Sequence, residues 1–201
     1  MAIRKAQALV VGLGNPGAAY ERTRHNVGFR VVERLATEAG KPFAIRRFHT
    51  EAAEVDLVSS RVLLLKPQTF MNESGVAVAA WMEVMGLAVS SLIVVHDDLD
   101  LALGRLRLVG GATSGGHRGV ESIQSVLGTQ GFCRVRLGIG RPQEGEEAAG
   151  KVLQAFDPEE LPVVAAMVER AAEAVRTLIG SGLAAAMNRY NVWPTTPEAA
   201  P

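Results

Sequence analysis

One cysteine, Cys133, in 201 residues leaves no internal disulfide to hold the chain together. Set in Gly131-Phe132-Cys133-Arg134, that thiol reads as a small buried hydrophobe, and a reducing cytoplasm suits the chain. Net charge is missing too, since 21 Lys and Arg balance 21 Asp and Glu. No whole-molecule field attracts a polyanion, so any contact with nucleic acid has to come from a local patch. No segment approaches eighteen uninterrupted apolar residues, and Met1 to Ala8 leads into no signal-peptide pattern. Membrane insertion and secretion are therefore not expected. Repeats are absent as well. With 48% hydrophobic residues the chain is long enough to bury one sizeable core, which predicts a single domain over residues 1–193. The last residues, 194–201, are mostly Pro, Thr and Ala and are expected to fray.

Short apolar runs alternate with helical periodicity. Ala8 to Leu13 reads as a buried strand ended by Gly14-Asn15-Pro16-Gly17. Val27, Val31, Val32 and Leu35 then recur at helical spacing, with Gly40 and Pro42 as stop signals. Further strands are expected at Ala52 to Val58, Val62 to Leu65, Leu92 to Val95, around Leu106 and Leu108, and at Val135 to Ile139. Helices are expected at Ser74 to Met85, His117 to Leu127, Glu159 to Ile179 and Leu183 to Tyr190. This order predicts an α/β fold, a mixed and mostly parallel β-sheet flanked by helices.

Gly12-Leu13-Gly14-Asn15-Pro16-Gly17 satisfies the letters of a dinucleotide-binding loop. Pro16 removes a backbone donor from that loop, and no acidic residue ends a second strand about twenty residues on, so a nicotinamide cofactor is disfavoured. The glycines better suit a turn presenting Asn15, whose amide offers both a donor and an acceptor. His25, just before a helix with Thr23 and Asn26 as possible caps, is either a structural residue or a general base in need of an orienting partner. Asn72 sits where a strand hands over to a helix, either as a helix cap or at the end of a sheet where α/β proteins build clefts. Met71 reads as core.

His96-Asp97-Asp98-Leu99-Asp100 is the densest chemistry in the chain. Strand alternation separates His96 and Asp98 from Asp97, which argues against convergence on one metal ion. A single carboxylate, Asp97, suffices to orient His25 as a dyad, and that reading is preferred. The glycine-rich stretch Gly110 to Gly119 leads into a helix, yet lacks the Gly-Lys-Ser/Thr ending of a P-loop. Around it the charge is lopsided: Arg105, Arg107, Arg118, Arg134, Arg136 and Arg141 face only Glu121 between 105 and 143. These are solvated surface arginines or, since Arg105/Arg107 and Arg134/Arg136 each project to one strand face, a phosphate clamp.

Gly-Leu-Gly-Asn-Pro-Gly at 12–17, Thr-Arg-His-Asn at 23–26, Phe-Met-Asn-x-Ser-Gly at 70–75, His-Asp-Asp-Leu-Asp at 96–100 and Gly-Gly-His at 115–117 together resemble the bacterial-type peptidyl-tRNA hydrolase family in order and spacing, over roughly Ala8 to Asn191. The resemblance implies an enzyme that acts on peptidyl-tRNA as a monomer, with no metal, no cofactor and no obligate protein partner. It implies His25 as catalytic base, Asp97 as its orienting carboxylate, and Asn15 and Asn72 as peptide-binding amides. Phe70 and Tyr20 would be aromatic walls, His117 the glycine-loop histidine, and Arg107 and Arg136 the clamp for the tRNA 5′-phosphate. Two positions depart from the family pattern. Arg118 stands where Asn is usual, and Val109 where a second basic residue often follows.

Overall fold

The computed structural model describes residues 6–142, 145 and 147–192. The expected tail at 194–201 lies outside that range. Among the described residues seven strands form one sheet in the order β2-β3-β4-β1-β5-β7-β6. They are β1 (Ala8–Gly12), β2 (Ile45–Arg47), β3 (Thr50–Leu57), β4 (Ser60–Pro67), β5 (Leu92–Asp98), β6 (Leu106–Gly110) and β7 (Cys133–Gly138). The central four, β4, β1, β5 and β7, are parallel; β3 and β2 extend one side antiparallel, and β6 the other.

Among the described residues five α-helices cover the sheet: α1 (Val27–Glu38), α2 (Ser74–Met85), α3 (Arg118–Leu127), α4 (Ala148–Leu153) and α5 (Leu161–Tyr190). β1 is apolar without interruption because it is covered twice. Val10 packs with Val31, Leu35 and Val175 of α1 and α5, whereas Leu9 and Val11 pack with Trp81, Val120 and Ile123 of α2 and α3. Burying side chains of this size contributes about 1.5–3 kcal/mol each. Trp81 is fully buried and donates its indole N–H to Thr50 Oγ1 at 2.6 Å, so its polar edge is satisfied.

The break expected between Ile179 and Leu183 is a kink within α5, at Gly182 with φ 82° and ψ 173°. Two elements went unanticipated: β2, of three residues, and α4, of six, both too short to show a period. Val58 also differs from expectation. It sits with Ser59 in the tight β3–β4 turn, at φ 49° and 64°, rather than in the strand.

β1 has β4 on one side and β5 on the other, so the chain reverses direction across the sheet here, and a crevice opens at the carboxyl ends of these strands. Two glycines let α1 settle onto this crossing. A Cβ at Gly12 would lie 2.3 Å from Gly28 O, and one at Gly28 would lie 2.4 Å from Val95 O. No larger residue fits either place without moving the helix that follows His25.

Candidate active site

His25 lies in a buried 3-10 turn, Arg24–Asn26, just ahead of α1, and Asp97 lies at the end of β5. His25 Nδ1 is 2.8 Å from Asp97 Oδ1 and 3.0 Å from Oδ2. Burial alone would raise the Asp97 pKa, but His117 and His25 outweigh it and hold the carboxyl below the usual carboxylate range. An ionised Asp97 only accepts, so His25 carries its proton on Nδ1 and Nε2 keeps a lone pair. This is the orientation of a general base.

His117 adds a second contact to the same carboxylate. Its Nε2 is 2.9 Å from Asp97 Oδ1, while its Nδ1 accepts from the Gly119 and Val120 N–H groups at 3.2 and 3.3 Å. An Nδ1 that accepts two amides carries no proton, so His117 donates through Nε2. It thereby caps α3 and steadies Asp97 at once. His96, buried behind it, donates from Nδ1 to the Asp97 carbonyl at 2.7 Å. Burial, first, and then the neighbouring His117 push its pKa well below the ordinary histidine value.

The amide of Asn15 is fixed rather than free. Its Oδ1 accepts from Met71 N–H at 2.9 Å, which leaves the Nδ2 hydrogens to donate. The Asn15 backbone is pinned in turn by Asn26, whose Oδ1 accepts from Asn15 N–H at 2.8 Å and whose Nδ2 donates to Asn15 O at 2.9 Å. Neither Thr23 nor Asn26 caps a helix through its side chain. The glycine loop opens no helix either, since turns and the 3-10 segment intervene before Val27, and so the dinucleotide pattern has no phosphate-binding helix end behind it.

Asn15, Tyr20, His25, Phe70, Asn72, Asp97, His117 and Arg118 line one cleft of about 560 Å³. Phe70 is 57% exposed, an apolar ring facing solvent at its wall. Asn72 lies inside a 3-10 turn and caps neither that turn nor α2. Met71 is core, 4% exposed, as well as cleft floor. Helix α4 supplies Ala148, Ala149, Val152 and Leu153 as a further wall that no sequence motif marked.

Arg107 and Arg136 are directly opposite each other across β6 and β7, but neither lines the cleft. Arg107 is exposed, whereas Arg136 has its Nε on Asp98. Arg134, read as half of a surface pair, is instead 2% exposed, because the alternation that turns it from the α5 side faces it into the α2–α3 layer. The acidic cluster does not converge as a unit. Among the described residues, the three groups able to share a small ion are His25, Asp97 and His117, with ligand atoms within 4.8 Å of one another, and N–H···carboxylate bonds account for that spacing.

A sequence model of the family described as peptidyl-tRNA hydrolase matches residues 9–199. A peptidyl-tRNA hydrolase from Chloroflexus aggregans is 48% identical over 91% of this chain and 98% of its own. One from Synechococcus sp. (strain JA-3-3Ab) is 46% identical over 92% and 83%. The crystal structure of peptidyl-tRNA hydrolase from Acinetobacter baumannii superposes with a TM-score of 0.87 at 34% identity, covering 96% of this chain and 98% of that one. With its dyad, its fixed amide and these relatives, the chain belongs to the peptidyl-tRNA hydrolase family.

Proposed function

We propose that the protein hydrolyses the ester bond between the peptide and the 3′-terminal ribose of peptidyl-tRNA, returning tRNA from prematurely released chains. The observation that carries this reading is the pairing of His25 with Asp97, its Nε2 left open in a cleft shared with the Nδ2 of Asn15. His25 Nε2 takes a proton from water as that water attacks the ester carbonyl. Asp97 holds the ring and favours the imidazolium that forms. Asn15 Nδ2 donates to the oxygen on which charge develops, and the ribose oxygen leaves with the proton His25 carries. General-base help of this kind is worth about 10²- to 10⁴-fold, and one oxyanion donor about 10²- to 10³-fold.

Asn72, Tyr20 and Phe70 form the peptide side of the cleft in this reading, with His117 and Arg118 toward the tRNA end. Arg107 and Arg136 clamp the 5′-phosphate. No cofactor or metal takes part in these steps, and the cleft is complete within one chain, which suits a monomer acting in the cytoplasm. No helix among the described residues is long and apolar enough to cross a membrane.

The test is release of N-acetyl-amino acid from N-acetyl-aminoacyl-tRNA, with unblocked aminoacyl-tRNA as control. Cleavage of the blocked substrate alone, lost in His25→Ala, is expected. Binding of tRNA without cleavage would turn the reading into an RNA-binding homologue that kept the fold and lost the chemistry.

A further inference from the structure

The carboxylates lining the cleft all have partners. Asp97 is held by His25 and His117, Asp98 by Arg136, and Asp100 by Arg141 at 3.0 Å. Among the cleft-lining residues there is one Lys or Arg side chain, Arg118. It is exposed and makes no hydrogen bond or ion pair with any described residue. A guanidinium left unpaired beside carboxylates that already have partners is free to meet an anion, and it presents a planar fork suited to phosphate oxygens.

Its position narrows the choice of phosphate. Arg118 opens α3 and follows His117, whose ring centre is 5.0 Å from that of His25. Consecutive Cα atoms are about 3.8 Å apart, so Arg118 stands next to the chemistry and not at the far tRNA-binding surface. The next two backbone N–H groups of α3, those of Gly119 and Val120, are already taken by His117 Nδ1. Recognition of an anion at this helix start therefore falls to the side chain.

We infer that Arg118 binds the phosphodiester joining the last two nucleotides of the tRNA, the backbone phosphate nearest the scissile ester. This rests on the hydrolase reading above. In that reading the carbonyl lies at His25 and the leaving oxygen belongs to the terminal ribose, whose own 5′ oxygen carries that phosphate. Arg107 and Arg136, on β6 and β7 outside the cleft, serve phosphates elsewhere on the tRNA. Arg118 fixes the ribose by its backbone while the amides of Asn15 and Asn72 meet the peptide, so the ester is held from both sides.

The experiment pairs one protein change with one substrate change. Wild type and Arg118→Gln are assayed on N-acetyl-aminoacyl-tRNA with either a native or an uncharged methylphosphonate linkage between the last two nucleotides. Wild type is expected to lose at least about tenfold in kcat/KM on the neutral linkage, mostly in KM, and the variant no more than about twofold, because it has already lost the contact. The slope of log(kcat/KM) against log[salt] on the native substrate should shrink in Arg118→Gln by about 0.7, the value for one single-strand phosphate. Arg118→Lys, which keeps the charge, should retain most of both effects. Losses that multiply independently would overturn the assignment and leave the hydrolase reading standing. A wild-type protein that cleaves neither substrate would overturn both.

Discussion

Asn26 holds Asn15 by both of its backbone polar groups, in a two-bond ring buried beside His25. The ring fixes the loop from which Asn15 reaches Met71 N–H, and so fixes where the Asn15 Nδ2 hydrogens point. Asn26→Asp keeps the acceptor and loses the donor, leaving the Asn15 carbonyl facing a second negative group. The expected result is a kcat about 10- to 10²-fold lower with KM little changed, since oxyanion donors act in the transition state. Steady-state kinetics alongside thermal unfolding would check it. A normal kcat in a folded variant would remove Asn26 from the mechanism.

His117 combines a cap and a carboxylate contact in one ring, and two substitutions separate them. Asn at this position can still cap α3 but is too short to reach Asp97, whereas Ala does neither. His117→Asn should lose only the stability that comes from the Asp97 contact, while its kcat falls about tenfold. His117→Ala should show the same kinetic loss and a further destabilisation of about 1 kcal/mol. If only His117→Ala lost stability and kcat stayed intact in both, His117 would be a helix cap alone.

Much of this site is legible in the sequence because chemistry-bearing residues fall at element boundaries, and strand ends and helix starts are visible from apolar periodicity. His25, Asp97, Asn15 and Asn72 each stand at such a boundary. What stays hidden is partnership. The letters Thr-Arg-His-Asn make Asn26 look like a helix cap, and only the fold shows its side chain turned back to Asn15. Arg134 reads as a surface cation because strand alternation gives a face and does not say what covers it. Helix α4 escapes because six residues of Ala, Gly, Lys, Val and Leu carry no period, although Val152 and Leu153 wall the cleft.

Acid should weaken the fold before it discharges the dyad. The Asp97 pKa is depressed, so its contribution to stability is present above its unfolded value of about 3.9 and is lost only as pH falls below that toward the folded value. His96 acts in the opposite part of the scale. Its folded pKa is lowered, so the unfolded chain binds a proton near pH 6.5 that the folded one refuses, and stability declines as pH drops from there. This one group contributes a slope of up to about 1.4 kcal/mol per pH unit. Urea denaturation at pH 7 and pH 5.5 should show a smaller difference in His96→Asn than in wild type. Equal differences would mean that His96 is not the group responsible.

The β3–β4 turn carries strain that is simple to relieve. Val58 and Ser59 both adopt left-handed backbone angles, and Val58 is β-branched and 55% exposed. Two-residue hairpins of this kind favour Asn followed by Gly. Val58→Asn with Ser59→Gly should stabilise the protein by about 1 kcal/mol and leave activity unchanged, the turn being distant in sequence and in place from the cleft residues. The contact between Val58 and Gly180 of α5 is the offsetting loss. Chemical denaturation is the measurement, and a destabilised double variant would mean that this contact outweighs the turn.

Arg24, the neighbour of His25, is 1% exposed and forks onto Glu160 at 3.0 and 2.6 Å, with the Phe156 ring 4.7 Å from its guanidinium carbon. Its backbone N–H donates to Gln154 O, so the turn holding His25 is tied to the segment between α4 and α5. The two ends of this pair are not equivalent. Removing Glu160 leaves a buried cation, whose Nε already lacks a partner, with only the looser contact to exposed Asp157 at 3.7 Å, whereas removing Arg24 leaves a carboxylate that is 24% exposed and still accepts from Asp157 N–H. Glu160→Ala should therefore cost about 3 kcal/mol, more than Arg24→Met, whose apolar chain still packs on Phe156. Because burial is outweighed by Arg24, Glu160 titrates below its ordinary value, and the difference between Glu160→Ala and wild type should persist down to the usual glutamate range and shrink below it. Denaturation curves of the two variants at neutral and acid pH decide the matter, and a larger loss in Arg24→Met would place the cost in packing rather than in the stranded charge.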